Sequence, residues 1–162
     1  IASAPLYIDD RSALSVQQIS AAARRMKQQH NVKALFIDYL QLIRSTRDKG
    51  SRNDEVAEIS NGLKAVAKEL RIPVIVLSQL SRQVDKDSRA PKLSDLRDSG
   101  AIEQDADVVL SIFRDPNVPP IGPGLPVFVD ILKNREGESG VKVPLIFTRD
   151  YTRFENGAYG IN

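Results

Sequence analysis

At 162 residues, with 41% hydrophobic and 27% charged residues, the chain has the length and composition of one globular domain with room for a real core. It contains no cysteine, which excludes disulfides and thiol chemistry and fits a reducing cytosol. A formal net charge of +2 is too small to argue for nucleic acid by itself, no apolar run approaches membrane-spanning length, and no signal peptide is visible, so the expected location is the cytoplasm, away from membranes.

The chain opens at "IASAPLYIDD" with no initiator methionine and runs straight into a strand-like segment, 6–8, as expected of a fragment of a longer protein. "SVQQ" (15–18) is a capping box, and Val16, Ile19, Ala23 and Met26 follow at helical spacing. The single histidine, His30, follows "KQQ" at the expected end of that helix, so it reads as a helix-terminal residue and not as a metal ligand or triad member. Next comes "VKALFIDYLQLI" (32–43), a continuous apolar run that predicts a strand buried on both faces, with one carboxylate, Asp38, in its middle. A buried unpaired charge is costly, so Asp38 needs a partner, a metal or water.

"RSTRDKGSRN" (44–53) is a polar, basic loop. "SRND" starts a second helix, with Val56, Ile59, Leu63, Val66 and Leu70 at steps of three and four until Pro73 stops it. "VIVLSQ" (74–79) is a second buried strand and 108–113 a third. A Pro- and Gly-rich loop, 115–126, leads to "VFVDILKNR", and "EGESG" turns the chain into "VKVPLIFT"; these last two alternate and predict an antiparallel hairpin. The sum is a single α/β domain over 1–162, with parallel inner strands, helical crossovers and an antiparallel C-terminal edge.

Open parallel α/β sheets bind ligands outside the carboxyl ends of their strands. Asp38 stands at one such exit, and Ser78 and Gln79 stand at another. An apolar strand ending in Asp is the Walker B pattern, in which the carboxylate holds Mg²⁺ through its water shell, and a Gln at the neighbouring exit can orient water or sense a γ-phosphate. The plainer alternative for Asp38 is a carboxylate that caps the following turn.

"FIDYLQLI", "VIVLSQLSRQVD", "LRDSGAIEQDADVV" and "ILKNREG" occur in this order, and together they resemble the C-terminal part of the RecA-like motor domain of DnaB-family replicative helicases, phage homologues included. "DSGAIEQDAD" carries most of the specificity. The resemblance implies a RecA-like P-loop NTPase core and, for the parent protein, a hexameric helicase that couples hydrolysis of ATP with Mg²⁺ to translocation on single-stranded DNA, with a primase and a helicase loader as partners. It makes Asp38 the Walker B aspartate and Gln79 the residue that couples nucleotide state to the DNA-binding loops. Arg97, Asp98 and Gly100 match a loop that holds single-stranded DNA in the central channel. Lys133 and Arg135 match the pair that reaches the γ-phosphate of the neighbouring subunit, Arg135 being the arginine finger; the family's "KQR" is "KNR" here.

The residues make physical sense in these roles. Lys133 and Arg135 alternate on a strand and so share one side, although a charged pair at a hairpin edge also serves to blunt aggregation. Gly100 N–H and a guanidinium can grip a phosphate without reading bases; helix initiation with Ser99 as N-cap competes and is compatible. Glu103, Asp105 and Asp107 would repel DNA. The basic loop with Arg44, Arg47, Lys49 and Arg52 is a second candidate DNA contact, although loops of this kind are commonly just solvated.

No G-x-x-x-x-G-K-[ST] motif occurs, and "IGPGLP" and "EGESG" lack the Lys-Ser/Thr. In the family, the P-loop, the catalytic glutamate and the primase-contacting domain precede the point where these residues begin. Two alternatives remain: an ATPase of the wider RecA-like recombination and repair group, and a non-catalytic prophage-type remnant that binds DNA or an intact helicase. Without the strand that carries the P-loop, an apolar groove is expected to lie open. The purified 162-residue chain is expected neither to bind ATP tightly nor to hydrolyse it; turnover above background in a steady-state ATPase assay would contradict this.

Overall fold

The structure is a computed structural model that describes residues 4–45, 51–81, 84, 87, 89–96 and 100–157. Its contacts group into two compact units that divide between Ser78 and Gln79.

The first unit is built from α1 (Val16–His30), β1 (Leu35–Ile37), α2 (Arg52–Leu70) and β2 (Val74–Val76). The capping box forms as the sequence predicts: Ser15 Oγ accepts from Gln18 N–H at 3.3 Å, and Gln18 Oε1 accepts from Ser15 N–H at 2.8 Å. Ser51 caps α2 without the reciprocal bond, its Oγ accepting from Asp54 N–H at 3.3 Å. Both helices end on a left-handed residue, Asn31 and Arg71. His30 is the last residue of α1, and its ring stacks on Tyr7 with centroids 4.1 Å apart.

The buried stripe of α2 is Val56, Ile59, Leu63 and Val66, at the predicted spacing of three and four; Ile19 and Ala23 of α1 and Leu40, Ile43 and Ile72 complete this core. Full burial of side chains of this size stabilises by about 1.5–3 kcal/mol each. Gly62 permits the approach of the two helices, because a Cβ there would lie 2.7 Å from Val16 Cγ1. A glycine inside a helix costs about 1 kcal/mol relative to alanine, and here that cost is offset by contact.

The run 32–43 departs from expectation. Its strand is only three residues long, pairs in parallel with β2 in the register Phe36↔Ile75, and is not buried on both faces: Phe36 is 72% exposed. The chain leaves the strand after Ile37, and Leu40–Leu42 forms a single 3₁₀ turn. The apolar residues after Asp38 therefore serve the turn, where Leu40 and Ile43 are buried. Asp38 lies at the strand exit and is exposed, so water solvates its charge and the cost expected of a buried carboxylate does not arise. The second strand is likewise shorter than 74–79, ending at Val76, and segment 6–8 forms no strand, with Leu6 and Ile8 exposed.

The second unit is an antiparallel meander in the order β3 (Val108–Phe113), β4 (Gly124–Asn134), β5 (Lys142–Thr148), β6 (Arg153–Asn156), preceded by the short helix α3 (Gly100–Asp105). The predicted hairpin is β4–β5, closed at Ile131, whose N–H and C=O bond Val141 and Gly140 at 2.9 and 2.7 Å. Gly140 has a φ of 78°, a conformation that favours glycine. β6 adds a strand that the pattern had not marked, anchored by Phe147 against Phe154 with ring centroids 4.7 Å apart. β3 pairs antiparallel with β4 and not with the parallel strands. Its solvent face carries Val108, Leu110 and Ile112, all more than half exposed. Among the described residues β2 and β3 each keep one edge without a strand partner. Exposed apolar side chains occur on each unit, at Phe36 and Ile75 in one and along β3 in the other.

Candidate functional site

The two parallel strands bring their exits together. Beyond the strands proper, Leu77 N–H donates to Ile37 O at 3.0 Å and Leu40 N–H donates to Leu77 O at 2.9 Å. Asp38 and Tyr39 lie between these two bonds, so Asp38 stands beside the Leu77–Ser78 backbone; the Asp38–Tyr39 peptide is cis. Gln41, on the 3₁₀ turn, donates from Nε2 to Ser78 Oγ at 3.1 Å and cross-links the two exits by side chains. Among the described residues no three His, Asp or Glu side chains gather to hold a metal ion. An exposed carboxylate at one strand exit could hold a hydrated Mg²⁺, which keeps most of its waters and takes one or two carboxylates. Gln79 follows Ser78 directly and is exposed, as the first residue of the second unit.

In the second unit, Lys133 lies at the end of β4 and Arg135 just beyond it. Both side chains go to the same place, as alternation requires. Lys133 Nζ donates to Glu103 O at 2.5 Å and to Gln104 O at 3.5 Å, and Arg135 donates to Gln104 O at 2.8 Å. Arg135 also pairs with the Asp107 carboxylate at 3.5 Å, and its backbone N–H donates to Asp107 O at 2.8 Å. The carbonyls are the orphan acceptors at the C-terminus of α3, where cations are favoured. Arg135 is exposed and Lys133 half-buried, and both are held chiefly by main-chain oxygens.

Gly100 is the first residue of α3 and is exposed, with open space where a Cβ would stand. Arg97 and Asp98 lie outside the described residues, as do Ser99, Arg47 and Lys49. Arg44 is exposed, and its backbone N–H is fixed to Leu14 O at 3.0 Å. Arg52, the first residue of α2, donates to Glu55 at 2.6 Å and to Gln41 O of the 3₁₀ turn at 3.4 Å.

The segment that joins Gln79 to the loop before α3 is clamped. Leu80 and Leu96 form an antiparallel bridge, and Ser81 N–H donates to Asp95 O at 2.9 Å. Arg89 makes a bidentate pair with Asp95 at 2.6 and 2.7 Å, and the same carboxylate accepts from Lys92 N–H at 2.7 Å. The Asp95 side chain is only 8% exposed. The hydrogen bonds from Arg89 hold its carboxyl down at about 2, against the opposing effect of burial and with help from Lys92 N–H. Neither Gln41 nor this pair was marked by the sequence. Gln41 sits in the quoted "FIDYLQLI" but has no apolar-run signal of its own, and Arg89 and Asp95 are joined only by the fold.

The model of the DnaB-like helicase C terminal domain matches residues 1–156. A protein of Rickettsia prowazekii named replicative DNA helicase DnaB is 58% identical over 110 residues, covering 67% of this chain and 23% of that protein. The replicative DNA helicase DnaB of Geobacillus stearothermophilus is 44% identical over 159 residues, 96% of this chain and 35% of its own length. A solved DnaB-like replicative helicase, described with its interactions with primase, superposes with a TM-score of 0.78 at 39% identity over 87% of this chain and 34% of that one. The chain thus spans between about a quarter and a third of the relatives it matches.

The Arg89–Asp95 clamp sets a pH dependence. The folded carboxyl lies at about 2, below its ordinary 3.8, so its stabilisation is complete above about pH 4 and is lost as pH falls towards 2. Urea midpoints measured from pH 5 to pH 2 are expected to fall more steeply for the unsubstituted chain than for Asp95→Asn, which starts lower. Parallel profiles would show that the pair carries no linked stability.

Proposed function

The chain belongs to the DnaB-like helicase C-terminal domain family, and from that premise we propose that it is the C-terminal part of the RecA-like motor of a hexameric, bacterial or phage replicative helicase. In that assembly it couples ATP hydrolysis to translocation on single-stranded DNA and to duplex unwinding in the cytoplasm. The chain alone supplies half of each nucleotide site and is inactive by itself. Primase and a loader are the partners of the whole protein; the primase proposal leans on the solved relative described with its primase interactions.

Asp38 would hold a hydrated Mg²⁺ beside the nucleotide, and the hydrogen bond from Gln41 to Ser78 Oγ keeps the neighbouring exit in place. The ion would supply screening of the phosphate charge. Gln79 reports the state of that site to the segment that ends at Leu96, one residue before Arg97. Arg97, Asp98 and Gly100 bear on the DNA backbone, with Arg44 and Arg47 as secondary contacts. Lys133 and Arg135 act on the phosphate held by the adjacent subunit. The observation that carries the proposal is the joint presentation of these two cations at the end of β4, both on the carbonyls of one helix end.

The test is a graft in which residues 1–156 replace the matching segment of the Geobacillus stearothermophilus relative. The graft is expected to hydrolyse ATP in response to single-stranded DNA. Arg135→Ala in it is expected to lose on the order of 10³-fold or more of that rate, the range of a trans arginine finger, and Asp38→Asn to lose activity together with Mg²⁺ dependence. A graft that forms a ring and binds DNA, yet hydrolyses no ATP, would refute the proposal.

A further inference from the structure

The partners of Lys133 and Arg135 in this structure are the C-terminal carbonyls of α3, and α3 is a helix that needs them. It has six residues, too few to persist in water unaided. It begins at Gly100, a weak helix former. Its last residue is Asp105, and Asp107 follows, so its negative end carries two carboxylates where cations are favoured. α1 and α2 end on a left-handed capping residue, Asn31 and Arg71; no residue after Asp105 takes that conformation before Gly122. In place of such a cap, α3 has two cations delivered from β4.

A bond from these cations to a carbonyl is charged on the donor side alone, whereas a bond to a nucleotide phosphate is charged on both sides. The Asp107 carboxylate meets Arg135 at 3.5 Å, but as an exposed pair, which contributes little. The acceptors that hold the cap are thus weaker than a phosphate. We propose that Lys133 and Arg135 are an exchangeable cap: with no phosphate near, they hold the C-terminus of α3, and a nucleotide phosphate presented by a second subunit draws them off and loosens the helix that begins at Gly100. The occupancy of one subunit's site is thereby read out as order or disorder of the DNA-facing segment of its neighbour. This rests on the proposed helicase function for the source of the phosphate; the cap itself is in the structure.

Hydrogen exchange in the ring-forming graft tests it, with the amides of 103–107 as the probe and a non-hydrolysable ATP analogue as the ligand. The analogue is expected to speed their exchange several-fold while α1 and α2 stay as they were. A Lys133→Gln, Arg135→Gln double substitution is expected to show the fast rate already without the analogue and no further response, whereas Lys133→Arg with Arg135→Lys is expected to restore slow exchange in the empty state. Unchanged or slower exchange on adding the analogue to a graft that hydrolyses ATP would overturn the exchangeable cap and leave the helicase proposal standing. A double substitution as protected as the parent would overturn it too. A graft with no ATPase activity would remove the helicase proposal, and the cap mechanism with it.

Discussion

Two backbone hydrogen bonds past the β1–β2 ladder, Leu77 to Ile37 and Leu40 to Leu77, position everything in the first unit that bears on chemistry. They keep the two strand exits side by side after the regular ladder has ended. An exposed carboxylate follows one strand and a hydroxyl the other, and Gln41 ties the second to the turn that follows the first. The strands themselves are short, and what holds them is α2, whose stripe from Val56 to Val66 is the centre of the core. The polar groups owe their placement to the apolar stripe of an otherwise charged helix.

The second unit applies a different solution to a similar need. Its long strand β4 delivers two cations to one point, and a clamped segment fixes what leads towards the loop before α3. The antiparallel bridge between Leu80 and Leu96 brings the two ends of that segment together. The Arg89–Asp95 pair closes that segment from inside. A bidentate, largely buried pair also gives a firmer geometry than exposed pairs such as Arg24–Glu69, which contribute little.

The legible parts of this molecule are those governed by local rules. Ser15 and Gln18 announce the start of α1, the stripe of α2 announces its buried face, and the alternation after Pro126 announces the β4–β5 hairpin. The same alternation puts Lys133 and Arg135 on one side. What local rules miss is decided by distant residues. An apolar run such as 32–43 looks alike whether it is one buried strand or a short strand followed by a packed 3₁₀ turn; only the partners of Leu40 and Ile43 decide. Likewise β3 is apolar enough for a central parallel strand, yet its register with β4 is antiparallel. Arg89 and Asp95 carry no motif, since the chain between them must fold before they meet. The expectation of a strand buried on both faces around Asp38 failed for the same reason: exposure depends on where the chain turns, and the turn follows Ile37 at once.

The central claim is that this chain's cation pair serves a nucleotide held by another subunit. Its most direct test is complementation by subunit mixing in the graft, with Arg135→Ala subunits, which keep Asp38, mixed with Asp38→Asn subunits, which keep Arg135, each inactive by itself. If each finger serves its neighbour's site, mixed rings hold sites that join an intact Asp38 to an intact neighbouring finger, and DNA-stimulated ATP hydrolysis returns. No recovery in rings shown to be mixed would mean that the carboxylate and the finger must come from one subunit, and the account would be wrong.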